Sequence, residues 1–155
     1  MKSIIFGLGL AILAGAQPVS AQSVSAYAPL SVVEAMRASG LPSDLTTASN
    51  GNPAITAQLD GVTFSVFFYG CTESRNCQDL QLRAVFSAEN ITADEVNQWN
   101  QAAFIGKAYV GDDGMITLEH PIASVDGLSR YSFQRSLLRW KVALDGFRQT
   151  LSSAQ

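Results

Sequence analysis

Two short segments in which apolar residues alternate with other residues constrain the fold of this chain most strongly. The first runs from Val62 to Tyr69 and the second from Leu80 to Ser87, and every second side chain in each is apolar. A period of two is typical of a β-strand that buries one face. Because the segments match in length and lie close together in the sequence, we predict an antiparallel hairpin whose connection contains residues 72–76.

The only two cysteines, Cys71 and Cys77, stand at the end of this predicted hairpin. Five residues separate them, whereas two separate the cysteines of a thioredoxin-like redox pair. A structural zinc site needs four nitrogen or sulfur ligands, and the chain contains two cysteines and one histidine. A disulfide that closes the hairpin is therefore favoured, with redox and metal roles as the alternatives. For a closed loop of about seven residues, chain entropy predicts a stabilisation of roughly 2.4 kcal/mol.

The first 21 residues have the layout of a secretory signal peptide. Lys2 precedes an apolar run from Ile4 to Ala14, and Pro18 and small residues follow the run. The run has about eleven residues, whereas a membrane-spanning helix needs about twenty. We therefore predict cleavage after Ala21, a periplasmic or secreted mature protein without stable membrane insertion, and a flexible lead at residues 22–29.

Three segments are predicted to be helical. Ser31 to Glu34 and Thr92 to Glu95 each have the spacing of a capping box, in which a hydroxyl and a carboxylate satisfy orphan backbone donors. The first helix should run to about Ser39, since Gly40 follows it. The third and longest helix spans residues 129–151, where apolar residues recur every three or four positions. This apolar row consists of Phe133, Leu137, Trp140, Leu144, Phe147 and Leu151.

Turn sequences at residues 50–53, 60–61 and 111–114 separate the remaining β-prone segments. The predicted order is helix, three or four strands, helix, two strands, helix. This order describes an α+β domain in which three helices cover an antiparallel sheet of about five strands. We predict a single domain at residues 30–151 and a C-terminal tail at residues 152–155.

The distribution of charge separates the last helix from the rest of the chain. Without Lys2, nine basic and thirteen acidic side chains give a net charge near −4, which makes nucleic acid an unlikely partner. Five of the nine cations lie in the last helix, against one acid, Asp145. They are Arg130, Arg135, Arg139, Lys141 and Arg148. They either form a solvated face that pairs with acids of the same molecule or dock an acidic partner or an anionic membrane surface.

No catalytic constellation emerges from the sequence. His120 is the only histidine, and no serine lies in a Gly-x-Ser-x-Gly elbow. Asp112 and Asp113 are flanked by glycines, so hairpin-turn chemistry explains them better than a carboxylate pair. Trp99 and Trp140 could stack on a flat ligand, but each is in register with the apolar stripe of a helix. We predict no cofactor, no metal and no catalytic residue.

Several of these segments together resemble the YbjN-domain family. They are FFYGC at residues 67–71, DLQL after the second cysteine, the Trp99-Asn100 pair, KAYVGDDGMITLEH at residues 107–120, and the closing helix with its central Trp140. The resemblance covers about Leu30 to Arg148 and is to an exported member of the family. It implies a fold similar to that of type III secretion chaperones, a role as a sensory transduction regulator, and no catalytic residues. A chaperone role would rest on architectural analogy alone.

The residues and the resemblance together predict a non-enzymatic, exported protein-interaction or regulatory module. It would bind another protein, or a second copy as a homodimer, through a sheet edge or an apolar surface beside a helix. The alternative is a small-molecule-binding periplasmic module in which Tyr69, Trp99 or Trp140 lines a pocket between sheet and helices. A third hypothesis is a hydrolase that uses His120.

Overall fold

A computed structural model describes residues 23–87 and 91–153 of the chain. Its elements follow the predicted order, with six strands where about five were expected. The helices are α1 (Pro29–Ala38), α2 (Ala93–Ala102) and α3 (Arg130–Ser153). The strands are β1 (Ser43–Thr47), β2 (Pro53–Leu59), β3 (Val62–Tyr69), β4 (Asp79–Phe86), β5 (Lys107–Val110) and β6 (Ile116–Ala123). The α+β class is thereby confirmed.

All six strands form one antiparallel sheet in the order β1-β2-β3-β4-β6-β5. The predicted hairpin is β3-β4, in which Val66 lies opposite Leu82 and Phe68 opposite Leu80. The strands depart from sequential order only after α2. Strand β5 lies at the edge of the sheet and does not pair with β4. Strand β6 then returns between β4 and β5.

The helices cover one face of this sheet and enclose the core there. The apolar positions of β3 and β4 that the alternation predicted are buried on this face, apart from the partly buried Val62 and Phe86 near the strand ends. The row on α3 packs onto them, with the rings of Trp140 and Phe64 5.8 Å apart and those of Phe147 and Trp99 5.0 Å apart. The predicted orientation of α3 is confirmed.

The start of α1 differs from the prediction. The capping box at Ser31 is wrong, because the helix already begins at Pro29, whose ring suits the first helical position. The residue at the N-cap is Ala28, which makes no side-chain cap. The Ser31 hydroxyl instead donates to the carbonyl of Ala28 at 2.7 Å. The end of α1 is as predicted, since Gly40 follows it with φ of +79°.

The segment before α1 was expected to be a flexible lead, but its described part, from Ser23 onward, is packed. Val24 exchanges two backbone hydrogen bonds with Leu128, each 2.8 Å long. Ala26 donates its backbone N–H to the hydroxyl of Ser124. Both Val24 and Ala26 are buried, so burial of these two side chains accounts for the order. The predicted signal peptide lies outside the described residues.

Helix α2 closes one edge of the sheet. Its capping box is confirmed, because Thr92 accepts from the backbone N–H of Glu95 and the Glu95 carboxylate accepts from that of Thr92. At the other end, the Asn100 side chain donates to the carbonyl of Ala108 at 2.8 Å and accepts from its N–H at 2.9 Å. Asn100 thus satisfies the outward-facing N–H and C=O of Ala108 in β5 as a neighbouring strand would.

The predicted C-terminal tail is shorter than expected. Helix α3 runs to Ser153, so residues 152 and 153 are helical, and their hydroxyls donate to carbonyls of the preceding turn.

Candidate interaction surfaces

The face of the sheet that the helices leave uncovered carries a cluster of aromatic and charged side chains. We call it the open-face cluster, and its members come from β3, β4, β5 and β6. They are Phe67, Tyr69, Arg83, Lys107, Tyr109 and Glu119. The strand order brings them together, because Arg83 and Lys107 lie directly opposite Glu119 on its two neighbouring strands.

Glu119 is the centre of this cluster. One carboxylate oxygen lies 3.6 Å from Nη2 of Arg83, and the other lies 3.1 Å from Nζ of Lys107. Its side chain is only 9 % exposed, whereas that of Lys107 is 65 % exposed. A nearly buried carboxylate without a cationic partner would be costly, and Glu119 has two such partners. Glu119 therefore fixes the positions of two cations on an otherwise exposed surface.

Arg83 links the ion pair to the aromatic side of the cluster. Its guanidinium carbon lies 4.9 Å from the centre of the Phe67 ring, which is a cation–π contact. Nη2 also donates to the hydroxyl of Tyr69 at 3.2 Å and to the amide oxygen of Gln81 at 3.4 Å. On the other side, the ammonium of Lys107 lies 5.7 Å from the Tyr109 ring centre.

The composition of the cluster suits recognition better than stabilisation. Its two cations and one carboxylate leave a net charge of +1, and the pair with the mostly exposed Lys107 contributes only about 0–1 kcal/mol to stability. Arginine and tyrosine are enriched among the residues that dominate binding energy at interfaces. The open-face cluster can therefore offer N–H donors and ring faces to a partner that carries carboxylates or apolar groups.

Sequence reasoning did not find this cluster. Tyr69 was considered as a pocket residue, but its ring lies on the open face of the sheet, 41 % exposed. The sequence of β3 did contain a signal for it. The strand positions that face away from the core are usually polar, yet in β3 they include the aromatic residues Phe67 and Tyr69.

The cations of α3 are spread over several environments. Lys141 donates to the carboxylates of Asp60 and Asp145, and these hydrogen bonds raise the pKa of Lys141. Arg148 donates to the backbone carbonyl of Asp60 at 3.4 Å. Arg130, Arg135 and Arg139 are exposed. For Lys141 and Arg148 the structure therefore favours the interpretation in which the helix flank contacts its own sheet.

The outward face of α3 also carries apolar side chains that the sequence interpretation missed. Tyr131, Leu138 and Val142 are 71 %, 56 % and 64 % exposed. They lie opposite the buried row, so α3 has an apolar row on each of two faces. Their spacing of seven and four residues is itself typical of one face of a helix. The longer apolar row on the buried face dominates the periodicity of the segment, so this second row was not recognised.

The cysteines form a disulfide that closes the tip of the β3-β4 hairpin. Inside it, Thr72 and Arg75 exchange backbone hydrogen bonds of 2.7 and 2.9 Å around Glu73 and Ser74. Glu73 and Ser74 have φ of +49° and +58°, a region that residues other than glycine and asparagine rarely adopt, and Asn76 has φ of +51°. The disulfide thus encloses a tight turn of unfavourable backbone conformation.

A comparison with family models identifies the chain. Residues 31–153 match the YbjN model, whose description is "Putative bacterial sensory transduction regulator". The chain belongs to the YbjN family.

Among solved structures, the YbjN-family chain is similar to one titled "Crystal structure of YbjN, a putative transcription regulator from E. coli". The TM-score is 0.58 at 12 % sequence identity, and the match covers 85 % of this chain and 94 % of that chain. At this identity the likeness concerns the fold alone. No curated protein matches the chain significantly.

His120 of this YbjN-family chain does not form a catalytic arrangement. It lies on the helix-covered face of β6, opposite Leu82. Within residues 23–87 and 91–153, no hydrogen bond to a serine or a carboxylate involves it. Burial lowers the pKa of His120, and the positive charge of Arg139 lowers it further. The hydrolase hypothesis lacks its geometric basis.

The pKa of His120 is directly testable, because it is the only histidine. We expect an imidazole titration by proton NMR to give a pKa below the usual value of about 6.5. Arg139→Gln should raise that pKa, while Arg135→Gln, on the same helix, should leave it unchanged. Since the unfolded chain keeps the higher pKa, His120 should reduce stability as the pH falls through 6.5. A pKa at or above 6.5 in the folded protein would contradict this assignment.

Neither tryptophan lines any of the three grooves seen within residues 23–87 and 91–153. Trp140 is fully buried in the core and Trp99 packs edge-on against Phe147. A groove of about 350 Å³ does lie between α1, the end of β2 and α3. Its walls are mostly apolar, including Leu41, Leu59 and Leu137, and Lys141 stands at its rim.

The described residues contain neither a candidate metal site nor a candidate membrane span. No group of three histidine, cysteine, aspartate or glutamate side chains could hold a metal ion in residues 23–87 and 91–153. No helix in the same ranges is long and apolar enough to span a bilayer.

Proposed function

We propose that this chain is a non-enzymatic, exported regulatory module that recognises a protein partner through the open-face cluster. The observation that carries the proposal is the arrangement around Glu119, where a nearly buried carboxylate holds Arg83 and Lys107 in place on a sheet face that no described helix covers. Such fixed cations lose little side-chain entropy when a partner binds, which favours affinity.

The side chains of the open-face cluster indicate which chemical groups a partner should carry. Arg83 and Lys107 can donate to carboxylates, while Phe67, Tyr69 and Tyr109 offer ring surface for apolar groups. A protein segment with acidic and apolar side chains fits both demands. Nucleic acid does not fit, since the mature chain would carry a net charge near −4.

Export is supported by the sequence and by the disulfide. The first 21 residues have the layout of a signal peptide, and disulfides persist mainly in oxidising compartments. The family description supports regulation as the role, and a periplasmic sensor or signalling protein is the kind of partner that this role implies.

A photoreactive amino acid at Tyr69 or at Tyr109 tests the proposal in intact cells. We expect both positions to cross-link to one common protein, identified by mass spectrometry, because the two residues flank the same cluster. Gln101, an exposed residue of α2, is the matched control and should give no such product.

A second variant connects the cross-link to the cluster. Arg83→Ala in the Tyr109 background should reduce the yield about tenfold or more, since loss of a central interface arginine commonly costs 2 kcal/mol or more. Identical products from Tyr109 and Gln101, or a yield that Arg83→Ala does not change, would contradict the proposal.

The alternative, small-molecule binding, rests on the groove beside Leu41 and Leu59, whose volume of about 350 Å³ falls within the range of ligand sites. Native mass spectrometry of protein purified from its own compartment would detect a co-purifying ligand. Such a ligand, lost on Leu59→Gln, would favour this alternative over the open-face cluster.

A further inference from the structure

The outward face of α3 carries a regularly spaced row of residues that do not contribute to the core. Six residues alternate in steps of four and three along this face, which is the spacing of a coiled-coil seam. We call them the outer seam, and they are Tyr131, Arg135, Leu138, Val142, Asp145 and Gln149. The seam faces away from the sheet, so it is distinct from the open-face cluster and does not depend on the proposed function.

The outer seam is symmetric about residue 140. Leu138 and Val142 are equally far from this point, as are Arg135 and Asp145, and so are Tyr131 and Gln149. If two copies of α3 pair in antiparallel orientation, each residue therefore meets its counterpart. Leu138 then lies against Val142 of the second copy, and Arg135 lies against Asp145 of the second copy.

We infer that the outer seam is a homotypic interface through which two copies of this chain form an antiparallel dimer. Charge selects the orientation. Parallel pairing would place Arg135 against Arg135 and Asp145 against Asp145, whereas antiparallel pairing makes two ion pairs of opposite charge. Antiparallel packing also places each helix N-terminus beside the C-terminus of the other, which the helix dipoles favour.

The groups at the seam are accessible for this contact. Leu138 and Val142 are 56 % and 64 % exposed, and they occupy the centre of the seam. Lys141 contacts Oδ2 of Asp145 at 3.0 Å, which leaves Oδ1 for the guanidinium of the second copy. Arg139 is not a member of the seam, and its positive charge acts on His120, which lies on the helix-covered face of β6.

The seam predicts a weak dimer. It spans 19 positions, which is about 28 Å of helix, and a single helix pair of this length buries less than the ~1,200 Å² of a standard interface. We expect a monomer–dimer equilibrium that depends on concentration. The contact is self-complementary and closed, so it should end at two copies.

Sedimentation velocity of the mature chain, from about 1 to 500 µM, tests the interface. Leu138→Asp should raise the dimer dissociation constant at least tenfold, because it places a carboxylate at the centre of the apolar contact. Phe104→Asp is the matched control, since Phe104 is 95 % exposed and lies outside α3, and it should leave the constant unchanged.

Charge exchange tests the pairing of Arg135 with Asp145. Arg135→Glu alone should weaken the dimer several-fold, and Arg135→Glu combined with Asp145→Arg should restore it. The wild-type chain remaining monomeric up to 500 µM would overturn the inference, as would a dimer that Leu138→Asp leaves intact. A dimer that Arg135→Glu weakens but the exchange does not restore would overturn the proposed register.

Cross-linking tests the orientation. In an equimolar mixture of Tyr131→Cys and Gln149→Cys, oxidation should yield mainly the mixed disulfide dimer, because antiparallel pairing brings these positions together. Like positions would lie about 27 Å apart. The native cysteines do not interfere, since both are in the Cys71–Cys77 disulfide. Products in which each variant joins only to itself would show parallel pairing and overturn the inference.

Discussion

Replacement of Trp140 by alanine is expected to lower the free energy of unfolding by about 3–5 kcal/mol. Trp140 is fully buried, packs against Phe64 at 5.8 Å between ring centres, and lies at the middle of α3. Alanine would leave a cavity between the helix and the sheet that the surrounding side chains cannot fill. Urea denaturation followed by circular dichroism measures the difference.

Two further variants make this prediction specific. The indole N–H of Trp140 is buried without a hydrogen-bond partner among the described residues, and such a donor costs about 1–3 kcal/mol. Trp140→Phe removes that donor and keeps most of the volume, so its cost should stay below about 1.5 kcal/mol. Phe104→Ala, an aromatic truncation at the surface, should change stability by no more than about 0.5 kcal/mol. Equal losses for Trp140→Ala and Phe104→Ala would refute the assignment of the core.

Replacement of both cysteines by serine is expected to cost roughly 2.4 kcal/mol. The disulfide restricts the unfolded chain, and in the folded protein it closes a tight turn in which Glu73 and Ser74 have left-handed backbone angles. The unfolding midpoint in urea should therefore fall for the double variant.

Measurements with and without a reductant control for effects of the serine substitutions other than loss of the disulfide. Dithiothreitol should lower the stability of the wild-type protein to that of the Cys71→Ser/Cys77→Ser variant and leave the variant unchanged. Thiol labelling of the folded wild-type protein without reductant should find no free cysteine. A wild-type protein whose stability is the same with and without reductant would contradict the structural role.

Local patterns predicted most of the elements. The alternation in β3 and β4 and the row on α3 arise from side chains close in sequence, and the structure has these elements within a few residues of the predicted ends. The Ser31 capping box was wrong because a second local signal, Pro29, competed with it. A capping motif therefore predicts the start of a helix only when no residue shortly before it, such as a proline suited to the first helical position, can begin the helix earlier.

Non-local pairing explains what could not be predicted. Glu119 meets Arg83 and Lys107 only because β6 lies between β4 and β5, and no periodic pattern encodes that placement. The residues of the open-face cluster span positions 67 to 119. The outer row of α3 was overlooked for another reason, since one helix carries two apolar rows and the period of the buried row dominates.

The contact of Asn100 with β5 limits how copies of this protein can assemble through their sheets. Filaments that grow by strand addition need two unprotected edges on every molecule, as in cross-β fibrils. Here the side chain of Asn100 pairs with the outward-facing N–H and C=O of Ala108 on the β5 edge, so a strand added at that edge would have to displace it, whereas β1 forms the other edge. Loss of this side-chain amide would leave the two backbone groups of Ala108 open to pairing with another chain, so Asn100 restrains strand addition at this edge of the sheet.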